Sequence, residues 1–94
     1  MKTVTVSGKN SRHNVLIYAI STCAWCKLTK QFLRDNNIKY DYIDVDLCVD
    51  EDREEIRNHI RSMGGSLAYP TIIIENKTMI TGFHKDELKK ALEI

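Results

Sequence analysis

Val15-Leu16-Ile17-Tyr18-Ala19-Ile20 is a continuous apolar run with β-branched and aromatic members, and it reads as a buried strand. Behind it, Leu28, Phe32 and Leu33 recur at helical spacing among Lys and Gln, and Asn36-Asn37 marks the stop. Ile38 to Val45 then alternates as a second strand. A strand, helix, strand opening implies a right-handed crossover and a parallel pair, which constrains everything that follows to one sheet covered by helices.

The later elements fit that frame. Asp50 to Arg61 is charge-rich with Ile56, Ile60 and Met63 one turn apart, the pattern of a surface helix with a single apolar stripe, and Gly64-Gly65 ends it. Pro70 to Ile74 and Lys77 to Ile80 read as two strands joined by a turn at Asn76-Lys77, and Asp86 to Leu92 as a last helix with Leu88 and Leu92 on one face. Ahead of the first long strand, Thr3-Val4-Thr5-Val6 alternates with period two. Residues 1–14 are thus expected to form an extra strand or hairpin arm on a single domain spanning 1–94. The expected architecture is α/β, a four-stranded mixed sheet flanked by three helices.

At 94 residues the chain supports one core. A formal net charge of +1 gives no global pull toward nucleic acid or a membrane surface, and no stretch approaches the roughly 18 apolar residues of a membrane span. A cytoplasmic monomer is expected. Three cysteines are an odd count, unlike a disulfide scaffold, and reducing surroundings favour catalysis or metal binding at a Cys-x-x-Cys pair.

That pair is Cys23-Ala24-Trp25-Cys26. It falls where a buried strand gives way to a helix, so unsatisfied N–H groups and the helix dipole favour a thiolate at Cys23. Cys26 lies one turn later on the same face, within bonding reach. Cys23 is therefore the candidate nucleophile, Cys26 the resolving thiol, and Lys27 a cation that adds positive charge nearby. A metal site needs two more soft ligands, and Cys48, His13, His59 and His84 show no paired ligand spacing, so no metal is expected. Two inert buried thiols would leave the strand-to-helix placement unexplained. Trp25, a helix-tip aromatic beside a reactive sulfur, reads as a substrate contact. Cys48 reads as a partly buried loop thiol, and His59 as a surface residue.

Ser21-Thr22-Cys23-Ala24-Trp25-Cys26, with Tyr69-Pro70-Thr71 and Thr81-Gly82-Phe83 in that order, resembles the glutaredoxins and the glutaredoxin-like redoxins that donate electrons to ribonucleotide reductase. The resemblance implies a thioredoxin fold, a cis Tyr69-Pro70 peptide facing the cysteines, and substrate contacts from Trp25, Tyr69, Pro70, Gly82, Phe83, His84 and Lys85. It implies reduction of disulfide-containing proteins with no bound cofactor, the reductant being glutathione, another low-molecular-weight thiol or a disulfide reductase. The family also includes iron–sulfur carriers, in which two chains share a cluster through the first cysteine and external thiols. Two positions depart from the family. Ile20 stands where a lysine usually meets the glutathione carboxylate, and Phe83 stands where a second glycine is usual, with Asp86 displaced as the helix cap. These departures predict poor glutathione recognition.

Overall fold

In the computed structural model, which describes residues 3–94, the elements run β1 (Val4–Val6), β2 (Val15–Ala19), α1 (Ala24–Asp35), β3 (Tyr40–Asp44), a 3-10 turn (Val45–Leu47), α2 (Asp50–Ser62), β4 (Thr71–Ile74), β5 (Thr78–Thr81) and α3 (Lys85–Leu92). The sheet order is β1-β3-β2-β4-β5. β2 and β3 are parallel, with Tyr18 opposite Ile43, and β2 and β4 antiparallel, with Tyr18 opposite Thr71. β4 and β5 form the hairpin, Ile72 facing Ile80.

Alternation along the strands sorts the core into two layers. Ile17, Leu33, Tyr40, Ile72 and Leu88 belong to the cluster between the sheet and α1 and α3. Tyr18, Ile43, Ile73, Ile56 and Ile60 belong to the one beneath α2. Successive residues of β2 and β4 thus point to opposite layers, which is why those strands read as unbroken apolar runs.

One expectation is borne out and another needs correction. The expected extra N-terminal strand is present as β1. It lies antiparallel against β3, with Thr5 opposite Asp41 and its hydroxyl donating to the Asp41 carboxylate at 2.7 Å. β2 already has a neighbour on each side, so a further strand can pair only at an outer edge of the sheet, and β1 takes that of β3. Leu28, however, is off the core stripe of α1 and 47% exposed. The buried positions are Cys26, Thr29, Phe32 and Leu33, and Thr29 is tolerated there because its hydroxyl donates to the Trp25 carbonyl at 2.8 Å.

The link from β1 to β2 passes close to the start of β3. Asn10 bonds with Asn37 and Lys39 through its backbone, and a Cβ built on Gly8 would stand 2.5 Å from the Ile38 carbonyl carbon. Backbone atoms cannot yield there as a side chain can. Gly8→Ala is therefore expected to lower the unfolding free energy by about 1–3 kcal/mol. Urea denaturation checks this, with the exposed neighbour Ser7→Ala as a control that leaves the midpoint in place.

Candidate active site

The site is built at the C-terminal end of β2. Ala19 ends the strand, and a turn through Ile20, Ser21 and Thr22 is closed by the Cys23 N–H donating to the Ile20 carbonyl at 3.0 Å. Asp46, in the 3-10 turn after β3, holds the same loop from the side. Its carboxylate accepts from the Ser21 N–H at 2.9 Å and from the Ser21 hydroxyl at 2.5 Å, and these two bonds keep it below the usual carboxylate range.

Cys23 is the N-cap of α1, with extended backbone at φ −83° and ψ 120°. Its sulfur takes the place of a capping oxygen and accepts from the Cys26 N–H at 3.3 Å. Cys26 is fully buried in the main core while Cys23 sits half-buried at its rim, both as free thiols. Partial burial raises the Cys23 pKa, but hydrogen bonds from the Cys26 thiol and from the Cys26 and Trp25 N–H groups, with the charge of Lys30, carry it below the ordinary thiol value. Cys26 moves the other way, pushed up to about 12 by burial first and then by its bond to Cys23 and by Cys23's charge. The pair is thus split into an outer sulfur that favours the thiolate and an inner one that keeps its proton.

The cation acting on both sulfurs is Lys30, where the sequence pointed to Lys27. Lys27 is exposed. Lys30 lies seven residues after Cys23, two turns along α1, and is fixed by Asp44 at 3.4 Å and by the Tyr42 ring, 3.8 Å from its centroid. The sevenfold spacing was the available signal, and adjacency to Cys26 obscured it.

The other sequence candidates lie on the first turn of α1, at the start of β4 and between β5 and α3. Trp25 is 61% exposed on the first turn of α1. The Tyr69–Pro70 peptide is cis, Pro70 is buried, and its carbonyl accepts the Gly82 N–H at 2.8 Å, which ties the start of β4 to the end of β5. Gly82 has φ +88°, a left-handed conformation that disfavours any side chain. Cys23, Tyr69 and Phe83 all rest partly buried on the main core cluster. Phe83 meets Phe32 edge-on at 6.1 Å, so it is partly a core residue, and Lys85 lies 6.0 Å from its ring. His84 is an exposed N-cap of α3 whose side chain makes no capping bond. Phe83, His84 and Lys85 share a shallow groove of about 430 Å³ with Asp86 and Glu87, so this groove is of mixed charge.

On α2 the sequence misplaced one residue and missed another. His59 is half-buried rather than on the surface, its Nδ1 sharing a 2.6 Å hydrogen bond with the Tyr18 hydroxyl. Arg57 lies close enough to Tyr69 for its charge to oppose the upward push of burial on that phenol. Both pairings join residues of different elements, and no local pattern announces them. Cys48 is half-buried, as expected, with its thiol 3.5 Å from the Asp44 carbonyl.

The glutaredoxin family model matches residues 15–79, which hold the cysteine pair, the Asp46 turn and the cis proline. The chain belongs to the glutaredoxin family. It is 39% identical over 80 residues to a glutaredoxin-like 8.6 kDa protein in the rubredoxin operon of Clostridium pasteurianum, covering 84% of this chain and 97% of that one. It is 31% identical to glutaredoxin 1 of Rickettsia prowazekii over 73% of this chain and 70% of the relative. Among solved structures, the glutaredoxin of Methanosarcina mazei superposes with a TM-score of 0.90 at 35% identity, covering 100% of this chain and 90% of its own. Methanoredoxin of Methanosarcina acetivorans gives 0.83 at 31% identity, covering 89% and 88%. The fold is accordingly the thioredoxin fold, with β1 added at its edge.

In this glutaredoxin-family site the Lys30 charge favours the Cys23 thiolate, so removing it favours the thiol. Alkylation of reduced protein by iodoacetamide, followed by mass spectrometry across pH, should modify Cys23 before Cys26 and Cys48. Lys30→Met should move the Cys23 profile to higher pH, and Lys27→Met should leave it where it is.

Proposed function

We propose that the protein is a dithiol thiol–disulfide oxidoreductase that reduces protein or mixed disulfides. The observation that carries this reading is the split of Cys23 and Cys26 within one helical turn, one sulfur accepting N–H bonds at the rim and the other protonated behind it. The Cys23 thiolate attacks a substrate sulfur, the substrate disulfide breaks, and its leaving thiolate takes a proton from solvent. A mixed disulfide between Cys23 and the retained substrate sulfur results. Cys26 then loses its proton and attacks Cys23, and the second substrate thiol departs.

The electrostatics time the second step. Two of the causes that hold the Cys26 proton, its bond to Cys23 and the charge of Cys23, end when the Cys23 charge is consumed in the mixed disulfide. Burial remains, opposed by a backbone hydrogen bond from Ile20 and by Lys30. Cys26 is therefore protected while the substrate is absent and easier to ionise once it is bound. Trp25, Tyr69 and Gly82 would border the substrate, with the Tyr69 backbone pairing to an extended segment as in strand addition.

For the reductant, the reading favours a protein disulfide reductase over glutathione. Ile20 packs partly buried on the apolar cluster beneath α2, and Phe83 packs on the core, so neither supplies the donors a doubly carboxylated tripeptide needs. Charged hydrogen bonds contribute about 1.5–3 kcal/mol each, and two missing ones weaken recognition by roughly two orders of magnitude or more.

Cys26→Ser should stop at the mixed disulfide, seen as a stable mass adduct on Cys23, and Cys23→Ser should lose disulfide reduction by more than about a hundredfold. Absence of the adduct would refute the dithiol route. In stopped-flow reduction of the oxidised protein, glutathione should be slow and Ile20→Lys should speed it. Wild-type rates with glutathione equal to those of ordinary dithiol glutaredoxins, unchanged by Ile20→Lys, would overturn the reductant assignment.

A further inference from the structure

Leu47, Val49 and Trp25, at 72%, 64% and 61% exposed, are the most exposed large apolar side chains among the described residues. Trp25 flanks the reactive sulfur. Leu47 and Val49 have no such account, and both run against local preference. Leu47 ends the 3-10 turn in solvent. Val49 is the N-cap of α2, a position where valine is among the poorest choices, and it makes no capping bond. Neither residue serves the fold where it stands, and such local inconsistencies concentrate at functional surfaces.

Their position ties them to the redox pair. Asp46, adjacent to Leu47, grips Ser21 two residues ahead of Cys23. Ile20, Cys48 and Tyr69 all pack partly buried on the cluster beneath α2, so the active-site loop, the turn between Leu47 and Val49 and the residue before the cis proline share one apolar support. An extended segment advances roughly 3.3 Å per residue, so one held at Cys23 reaches this turn within a few residues.

Charge defines what would lie there. Seven of the chain's thirteen acidic residues fall between Asp44 and Glu55, with Arg53 the one basic residue in that stretch, although the whole chain is nearly neutral. Asp44, Asp50 and Glu54 are ion-paired with Lys30, Arg53 and Arg57, and the remaining carboxylates outnumber these cations, with Asp46 and Glu51 exposed beside the two apolar side chains. The surroundings are thus locally anionic, which disfavours an acidic partner or an anionic membrane surface and favours a basic one.

We propose that Leu47 and Val49 form a docking lip for protein disulfide substrates that carry an apolar residue and a Lys or Arg a few positions from the reacting cysteine. This rests on the oxidoreductase reading and names the substrate class it selects. Recognition by the lip adds to the chemistry at Cys23 without altering it.

The test uses three ten-residue peptides, each with one cysteine joined by a disulfide to 5-thio-2-nitrobenzoate, and differing only in the flanking pair: Leu and Lys, Leu and Glu, or Ser and Lys. Cys23 attacks the peptide sulfur and expels the coloured aromatic thiolate. Cys26 then gives up its proton, closes the Cys23–Cys26 disulfide and frees the peptide thiol, so two electrons pass from the dithiol to the peptide–nitrobenzoate disulfide. With reduced wild type, the Leu and Lys peptide should react about tenfold faster than either other peptide at low salt, its lead over the Leu and Glu peptide shrinking as salt screens the charges. Leu47→Ser with Val49→Ser should erase the preference for Leu over Ser while reducing hydroxyethyl disulfide at the wild-type rate. These sites are exposed and serine is a favoured N-cap, so the fold is retained, and a circular dichroism melt verifies it. Equal peptide rates with normal hydroxyethyl disulfide reduction would overturn the lip and leave the oxidoreductase reading standing. Failure to react with any of these disulfides would overturn both.

Discussion

The structure depends on β2. It is the central strand, bonded to β3 on one side and β4 on the other, and Val15, Ile17, Tyr18 and Ala19 are buried within it. Because β3 runs parallel to it and β4 antiparallel, three chain segments converge at its C-terminal end: the loop into α1, the turn after β3 and the cis-proline approach to β4. Each supplies a different part of the chemistry. The loop presents Cys23, the turn anchors that loop through Asp46, and the approach to β4 brings Tyr69 to the same core rim. A ligand-binding crevice at the carboxyl ends of parallel strands is the general outcome of such topology.

At the tip of that convergence a sulfur does the work of a capping oxygen. The N-cap bond from Cys26 to Cys23 serves the helix and the reaction together, since the donor that satisfies the first turn of α1 also lowers the thiol's pKa. Burial raises the pKa of both cysteines, and their surroundings decide the outcome. At the half-buried Cys23 it is outweighed by donors, whereas at the fully buried Cys26 it is reinforced by its neighbour's bond and charge.

What could be read from the sequence was what is local. The runs of β2 and β4, the stripe of Ile56 and Ile60, and the place of Cys23 and Cys26 between strand and helix are set by spacings of two to four residues. Long-range pairing was not legible. Ser21 meets Asp46 across 25 residues and Tyr18 meets His59 across 41, and nothing in either neighbourhood reports the partner. Leu28 misled because an apolar residue at helical spacing suits the edge of a stripe as well as its centre, and Thr29 took the buried place through a backbone bond. The partner of β1 was hidden for a topological reason, because it depends on which strand edges the rest of the sheet leaves open.

That last point has a consequence for how the chain behaves in a crowded solution. By covering the outer side of β3, a five-residue strand, β1 replaces a longer line of backbone donors and acceptors with a strand of three residues, Val4 to Val6. The opposite margin, β5, is four residues long and begins at the exposed Thr78. Short margins offer little template for another chain to add to the sheet. Deleting the first strand would leave the β3 backbone from Tyr40 to Tyr42 along an unprotected border, and self-association through that border would be the hazard.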